Sequence, residues 1–291
     1  YINKIYITMK KTFLITALIA LVVFTSCNKN KIDGVYNPKE KIDKIYWSND
    51  DISKRLLEDW TWKDKQLKTI DYYSSDGTIE STDRFSYNGD RLIQVDNYES
   101  DVCMKYRYDH KDRLSEATFS YNGVLMEKYD FEYDGNELSD IKWTIYEDWA
   151  LSNDNRMNPL RYMLPGLSLE SIKKAAKKSP LRSNVVIEID IDWEGNNISE
   201  LELEIGDLSE KLVFEYDNKK NPFRGFLGLY FDELIFAHGN FASKNNVTKI
   251  ITTEEYKGIS ATDTEVISYT YDGKFPVTRS YDGHTDYFEY E

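Results

Sequence analysis

Asp190, Asp192 and Glu194 form the part of the sequence closest to a metal-binding motif. They occupy the first, third and fifth positions of a segment with Gly195 at the sixth, as in calcium-binding loops. The carboxylate that closes such a loop would fall at Leu201, which cannot bind a cation. A strand-turn-strand with a solvated acidic face explains the same residues, so we predict no resident metal and no cofactor, with calcium at residues 190–194 as the alternative.

Signatures of catalysis are missing from the sequence. It lacks His-Glu-x-x-His, Gly-x-Ser-x-Gly, the phosphate-binding Gly-x-x-x-x-Gly-Lys and the dinucleotide-binding Gly-x-Gly-x-x-Gly. Among 51 acidic residues, no particular pair of carboxylates stands out for acid–base chemistry. Cys103 lies in a strand-like run, where we expect a small apolar side chain rather than a nucleophile. We therefore predict that the protein is not an enzyme and assign no catalytic residues.

The N-terminal residues have the order of an export signal. Met9 is followed by Lys10 and Lys11 and then by the uncharged, apolar residues 12–24, a stretch too short to span a bilayer. The next residues, Phe24-Thr25-Ser26-Cys27, resemble a bacterial lipobox. The resemblance implies cleavage before Cys27 and acylation of that cysteine. An ordinary cleaved signal with an incidental cysteine is the alternative.

The residues after Cys27 indicate the membrane, and the face of it, at which we expect the protein. More than one acyl chain makes membrane anchoring stable, so we expect a membrane as a partner. Asn28, rather than aspartate, follows the cysteine, which favours the outer membrane over retention at the inner one. The following residues, 28–31, are basic rather than acidic, which favours the periplasmic face over the cell surface. We divide the chain into upstream residues with a signal peptide (1–26), a lipidated tether (27–41) and one all-β domain (42–291).

Composition excludes several classes of protein. The chain has 51 Asp and Glu against 37 Lys and Arg, a net charge of −14, which argues against a nucleic-acid partner. Three histidines and two cysteines leave little material for a zinc site or a disulfide scaffold. Tyrosine supplies 23 residues, so this is not a disordered acidic tail. We expect a folded monomer.

One local pattern recurs along the domain: two aromatic or large apolar residues flank a single residue, and a short polar turn follows. The copies are Trp60-Thr61-Trp62, Phe85-Ser86-Tyr87, Tyr106-Arg107-Tyr108, Phe131-Glu132-Tyr133, Ile191-Asp192-Trp193, Phe214-Glu215-Tyr216 and Tyr269-Thr270-Tyr271. Many of the turns are Asn-Gly or Asp-Gly, which tolerate the positive φ angles of tight hairpins. Several copies lie 21 to 25 residues apart, the length of a repeated two-strand unit.

Alternation along the strands predicts the architecture. Ile187, Ile189 and Ile191 face one way, while Glu188 and Asp190 face the other. A sheet with one apolar and one charged face is typical of antiparallel sheets wetted on one side. A membrane-spanning barrel instead needs an apolar outer band. We predict an antiparallel meander of repeated hairpins, rolled into a soluble barrel or shell with its apolar face inside.

Two segments depart from the alternating pattern. Residues 149–182 form a basic insertion, in which Ser168 can cap a short helix. Trp149, Arg156 and Arg161 in this insertion are the candidate binding residues, for sugar stacking or for anionic polymers and headgroups, although a solvated helix explains the charges equally well. Residues 221–247 suit neither a helical nor a strand period, so we predict a loop with at most one helical turn.

Three turn strings and the lipobox carry a family resemblance. The strings are Tyr216-Asp217-Asn218-Lys219-Lys220-Asn221-Pro222-Phe223, Ser243-Lys244-Asn245-Asn246-Val247-Thr248-Lys249 and Tyr271-Asp272-Gly273-Lys274-Phe275-Pro276. With them the chain resembles a family of bacterial lipoproteins of unknown function with a porin-like fold, and more weakly the tyrosine-aspartate repeat proteins. The resemblance implies a long antiparallel meander curled into a roll, and it brings no activity or site residues.

Two functions follow from these observations. The first is a non-catalytic outer-membrane lipoprotein that binds a glycan or a protein partner through its loops. The alternative is a carrier of an apolar or lipid-like ligand inside the roll, since wide rolls either flatten or enclose something.

Overall fold

The computed structural model describes residues 30–146, 184–205, 208–229 and 241–291. They form one sheet of 17 antiparallel strands, curled into a nearly closed barrel. The strands are β1 (Ile42–Asn49), β2 (Arg55–Lys63), β3 (Gln66–Tyr73), β4 (Ile79–Asn88), β5 (Arg91–Asn97), β6 (Val102–Tyr108), β7 (Leu114–Tyr121), β8 (Val124–Asp134), β9 (Glu137–Ile145), β10 (Val185–Glu194), β11 (Asn197–Ile205), β12 (Leu208–Tyr216), β13 (Val247–Tyr256), β14 (Ile259–Val266), β15 (Ser268–Asp272), β16 (Phe275–Tyr281) and β17 (His284–Tyr290). The predicted all-β antiparallel fold is confirmed. The helix predicted after Ser168 lies outside the described residues.

The strands follow one another as a meander. From β1 to β14 each strand pairs with the next one in the chain, and β1 also pairs with β17, which brings the two edges of the sheet together. β14 and β15 are two parts of one extended run, joined through Ile267. β14 pairs with β13, whereas β15 pairs with β16. The wall is therefore continuous except beside β14.

Each copy of the recurring pattern ends in a β-bulge. The strand register shifts immediately before the second large residue of all seven copies: Trp62, Tyr87, Tyr108, Tyr133, Trp193, Tyr216 and Tyr271. Five of the turns that follow are two-residue loops whose first residue has a positive φ, namely Asp64, Gly89, Gly135, Gly195 and Gly273. The predicted hairpins are confirmed, and the bulge adds the twist that helps the sheet curl.

The bulged residues also bind the neighbouring strand through their polar tips. Five of these ring N–H or O–H groups donate to a backbone carbonyl near the start of the preceding strand: Trp62 to Ile42 (2.8 Å), Tyr87 to Leu67 (2.9 Å), Tyr108 to Leu92 (2.6 Å), Trp193 to Leu138 (2.7 Å) and Tyr216 to Ile198 (2.5 Å). Tyr290, near the end of β17, makes the same kind of bond to Pro276 at 2.7 Å. Tyrosine and tryptophan suit these positions because each buries an apolar ring and still supplies a donor.

The hydrophobic core lines the inner face of the sheet. Ile187, Ile189 and Ile191 are buried while Glu188 and Asp190 are exposed, so the predicted alternation is confirmed. The core continues around the barrel and includes large aromatic side chains such as those of Trp60 and Trp143. These tryptophans therefore fill the interior rather than offering a platform for sugars. Across the described residues, no helix is long and apolar enough to cross a membrane.

Alternate connections lie at opposite ends of the barrel. We call the end that carries the bulged turns, including residues 64–65, 89–90, 135–136 and 195–196, the bulged end. The opposite end, which carries residues 50–54, 74–78, 98–101, 122–123, 257–258 and 282–283, we call the rim end. β9 ends and β10 begins at the rim end, and the predicted basic insertion falls between these strands in the sequence.

Two non-strand segments, residues 30–36 and 221–229, pack across the bulged end. Ile32 and Gly34 accept backbone hydrogen bonds from Leu114 (2.7 Å) and Leu92 (2.9 Å). The Tyr36 hydroxyl donates to the Pro222 carbonyl at 2.8 Å. The sequence predicts a tether up to residue 41, but residues 30–36 pack against the core, because Ile32 and Tyr36 are buried and the carbonyls of Ile32 and Gly34 are paired.

Candidate functional site

β14 has one free edge, which lies at the rim end. Its residues pair with β13 from Ile259 opposite Tyr256 to Val266 opposite Lys249. In the described part of the chain, no strand pairs with its other side. An unpaired edge presents a row of backbone N–H and C=O groups to which another chain can add a strand.

The register shows which backbone groups face outward. In an antiparallel hairpin with a two-residue loop, the residues that close the loop exchange both hydrogen bonds, and the bonded positions then alternate. Ile259 therefore bonds β13, and Ile267, eight residues further on, still donates to Thr248 at 2.9 Å. The N–H and C=O groups of Ser260, Thr262 and Thr264, with those of residue 266, point to the free edge.

The hairpin of β13 and β14 stands clear of the core. Every residue from 259 to 264 is exposed, so neither face of this part of β14 packs on other described residues. Ile259 and Val266 are 76% and 64% exposed, unusually high for large apolar side chains. β14 can thus be approached from its edge and from both faces.

Further apolar side chains are exposed around the same end. Ile52, Ile79, Tyr98 and Val124 lie on or beside four alternate connections of the meander and are each at least 41% exposed. Apolar side chains gathered on one part of a surface mark interaction sites. We call these four residues, with Ile259, the apolar rim.

Acidic residues dominate the connections at the rim end. Six acids lie on them, namely Asp50, Asp51, Asp76, Glu99, Asp101 and Asp282, whereas Lys54 and Lys257 are the lysines there. Hydrogen bonds from Ser74 and Thr78 lower the pKa of Asp76 to about 2, which keeps it charged. A neutral or basic partner fits this end better than an acidic one.

Buried polar residues line the interior on the rim side of the aromatic core. Asp286 accepts two hydrogen bonds from the Arg279 guanidinium (2.6 and 2.8 Å), and both side chains are largely buried. Asp83 accepts from Asn97 (2.8 Å) and Tyr72 (3.1 Å), and burial raises its pKa to about 6. This part of the interior is therefore lined by polar rather than apolar side chains.

Glu58 is another carboxyl whose pKa is raised. Its Oε2 accepts a hydrogen bond from the Trp60 indole at 2.7 Å. Burial, and then the negative charge of Asp286, raise the pKa of Glu58 to about 7. The pKa of Glu210, on β12, is raised to about 7 as well, by burial and by Glu254. The pKa values of both carboxyls therefore lie near neutral pH.

The residues of the segment considered as an alternative calcium site lie on paired strands. Asp190 and Asp192 are in β10, opposite Glu202 and Glu200 of β11. Burial and the neighbouring carboxylate of Asp140 raise the pKa of Asp190. This is the strand-turn-strand interpretation of the sequence, and the described residues contain no group of three or more His, Cys, Asp or Glu arranged to hold a metal ion.

The structure does not describe the site residues that were chosen from the sequence. Cys27, Trp149, Arg156 and Arg161 lie outside the described residues. Sequence reasoning also missed the free edge of β14. The available signal was the run Ile-Ser-Ala-Thr-Asp-Thr-Glu-Val, which lacks the apolar alternation of the other strands.

The fold is similar to that of crystal structures called porin-like proteins. One, from Bacteroides vulgatus ATCC 8482, matches with a TM-score of 0.50 and 10% identity over 87% of this chain and 99% of that one. Another, from Bacteroides uniformis ATCC 8492, has a TM-score of 0.49 and 12% identity over 86% and 98%. No protein-family model and no curated protein matches the sequence. At these identities the likeness shows the fold alone, and the predicted porin-like fold is confirmed.

Proposed function

We propose that the protein is a non-catalytic binding protein of the bacterial outer membrane, anchored at the periplasmic face through acylated Cys27. Its rim end binds a protein partner that adds a strand to β14. The observation that carries the proposal is the free edge of β14, with four residues whose backbone groups point outward. The apolar rim supplies further contact area around that edge.

The outer face of the wall supports a position outside the bilayer. Glu188, Glu202 and Glu204 are exposed there, and Lys211 bonds Glu200 and Glu202 on the same face. Charges on the lipid-facing side of a barrel destabilise it in a membrane. A lipid anchor joined to a barrel with a charged wall is consistent with a protein that stands on the membrane.

The free edge favours a protein over a glycan as the partner. A strand pairs its own N–H and C=O groups with the edge, whereas sugars are held mainly by stacking on aromatic rings and by side-chain hydrogen bonds. Of the exposed large apolar side chains at the rim end in the described residues, Tyr98 and Tyr256 are the aromatic ones. The carrier hypothesis gains less support, because the interior on the rim side is polar. Toward the bulged end, the space among Tyr36, Phe85 and Phe226 is about 10 Å³, room for about one water.

Site-specific crosslinking in intact cells tests the proposal. A photo-crosslinking residue at Ser260, on the free edge, should give one discrete adduct with an envelope protein. The adduct should disappear with Thr264→Pro, because proline removes an outward N–H without breaking a bond to β13. It should persist with the matched variant Thr264→Ala, which keeps that N–H. Absence of an adduct, or equal loss with both variants, would rule out strand addition at β14.

A further inference from the structure

The chain enters the barrel at the bulged end, very near the predicted anchor. Asn30 is buried there, and its amide donates to Glu137 (2.6 Å) and to the Gly195 carbonyl (3.3 Å). Cys27 is three residues away, and an extended chain covers at most about 3.6 Å per residue. An acylated Cys27 therefore holds the bulged end within about 11 Å of its lipid attachment point.

Three segments of the bulged end bring four lysines together. They are residues 217–220 and 243–246, the two ends of the connection between β12 and β13, and residues 273–274, between β15 and β16. We call Lys219, Lys220, Lys244 and Lys274 the lysine cluster. The Lys220 N–H donates to the Lys274 carbonyl at 3.0 Å, which joins the first and third segments. The Asn245 side chain donates to the Lys219 carbonyl at 2.5 Å, which joins the first and second.

The four lysines of the cluster form no ion pair among the described residues. The ion pairs of the described residues involve other lysines, such as Lys211 and Lys249, and none of the four has a carboxylate within 4.0 Å there. Two of them lie over aromatic rings, Lys219 over Tyr271 at 5.3 Å and Lys220 over Phe275 at 5.7 Å. The rings fix where these two ammonium groups stand.

The charge of the cluster contrasts with the rest of the molecule. The whole chain has a net charge of −14, and the connections of the rim end are acidic. A positive patch on an acidic protein, at the end nearest the anchor, complements an anionic surface. Lysines near such a membrane each strengthen binding by roughly fivefold.

We propose that the lysine cluster binds the anionic headgroups of the membrane in which Cys27 is anchored. The barrel then stands with its bulged end on the membrane, and β14 with the apolar rim points away from it. The inference rests on the proposed function, since it takes Cys27 as the anchor. It adds an orientation and a lipid-binding surface.

Fluorescence quenching on the acylated protein tests the orientation. Single cysteines for labelling replace Lys65 at the bulged end or Lys257 at the rim end, both exposed, in a Cys103→Ser background. The protein is placed in vesicles of phosphatidylcholine and phosphatidylglycerol that carry a quencher on their headgroups. The label at position 65 should be quenched and that at 257 spared, since a strand of nine residues separates the ends by about 20–30 Å.

Vesicle binding of the unacylated full chain, carrying Cys27→Ser, tests the lysines. Lys244→Gln with Lys274→Gln should weaken binding to phosphatidylglycerol vesicles by about 25-fold, about fivefold per lysine. The matched control, Lys105→Gln with Lys142→Gln, removes two exposed lysines of the wall and should leave binding within about twofold. Equal losses in both double variants would overturn the role of the cluster.

Mass spectrometry of Cys27 separates the two proposals. If Cys27 is acylated but the labels at 65 and 257 are quenched equally, the orientation is wrong while the anchor stands. If Cys27 carries no acyl group, the proposed anchoring itself fails, and the binding of the Cys27→Ser chain still decides whether the lysine cluster recognises anionic lipid.

Discussion

Replacing Glu58 with glutamine should stabilise the protein at neutral and alkaline pH. The pKa of Glu58 rises from 4.5 to about 7 in the folded protein, mainly because the side chain is buried. The folded state therefore holds a proton that the unfolded state releases between these two pH values. Stability from this group is full below pH 4.5 and is lost as the pH rises to about 7, the direction expected when the folded state binds more protons.

The size of the stability gain follows from the shift in the pKa of Glu58. At 1.36 kcal/mol per unit, the change from 4.5 to about 7 corresponds to about 3 kcal/mol. Glutamine is neutral at every pH, and its amide oxygen can still accept the hydrogen bond from Trp60. We expect Glu58→Gln to match the parent protein at pH 4 and to exceed its unfolding free energy at pH 8 by up to about 3 kcal/mol.

Urea unfolding at a series of pH values measures this difference. The control is Glu132→Gln, which replaces an exposed glutamate of the outer face and should follow the parent protein at each pH. If Glu58→Gln is less stable than the parent protein at pH 8, or keeps the parent's pH dependence, the pKa of Glu58 is not raised in the folded protein.

Three further predictions concern the packing of the barrel. Gly34→Ala should destabilise the protein by more than about 2 kcal/mol, because the new Cβ would lie 1.9 Å from the Tyr108 hydroxyl. The control Gly77→Ala has a similar positive φ but open space around it, so thermal unfolding should show a loss of only about 1 kcal/mol. Arg279→Met should cost about 3–5 kcal/mol by leaving Asp286 buried and unpaired, and adding Asp286→Leu should recover most of it; no recovery in urea titrations would contradict the pairing. Tyr216→Phe should cost about 1–2 kcal/mol by removing a buried donor, and an unchanged melting temperature would count against the role of the bulged residues.

The hairpins could be predicted because their signals are local. Positive φ at Gly89 and Gly195 matches the turn chemistry, and alternation along β10 fixes which face is buried. The bulges could not be predicted, since a shift of register depends on how two strands pair and not on either strand alone. All seven of these bulges nevertheless lie at the second aromatic residue of a copy, and in five copies that residue donates a hydrogen bond to the preceding strand.

Other features depend on contacts between distant parts of the chain. Residues 30–36 look like a polar tether, and they become part of the core only because Ile32 and Gly34 meet strands far along the sequence. The free edge of β14 arises because β16 ends at Tyr281, so that no described strand lies beside β14 on one side. Asp83 lies two residues before Phe85 on the same face of β4, and both side chains are buried. The alternation pattern therefore places Asp83 on the inner face, but it gives no reason for an acid there.

Hydrogen exchange along β13 and β14 tests most directly whether the rim end offers a free strand edge. The amides of Ser260, Thr262 and Thr264 should exchange rapidly, because their N–H groups point to the unpaired side. The amides of Ala261 and Asp263, which are bonded to β13, should be slower by at least about tenfold. Protection that is equal at alternate residues of β14 would mean that its edge is already covered, and the proposed binding site would be lost.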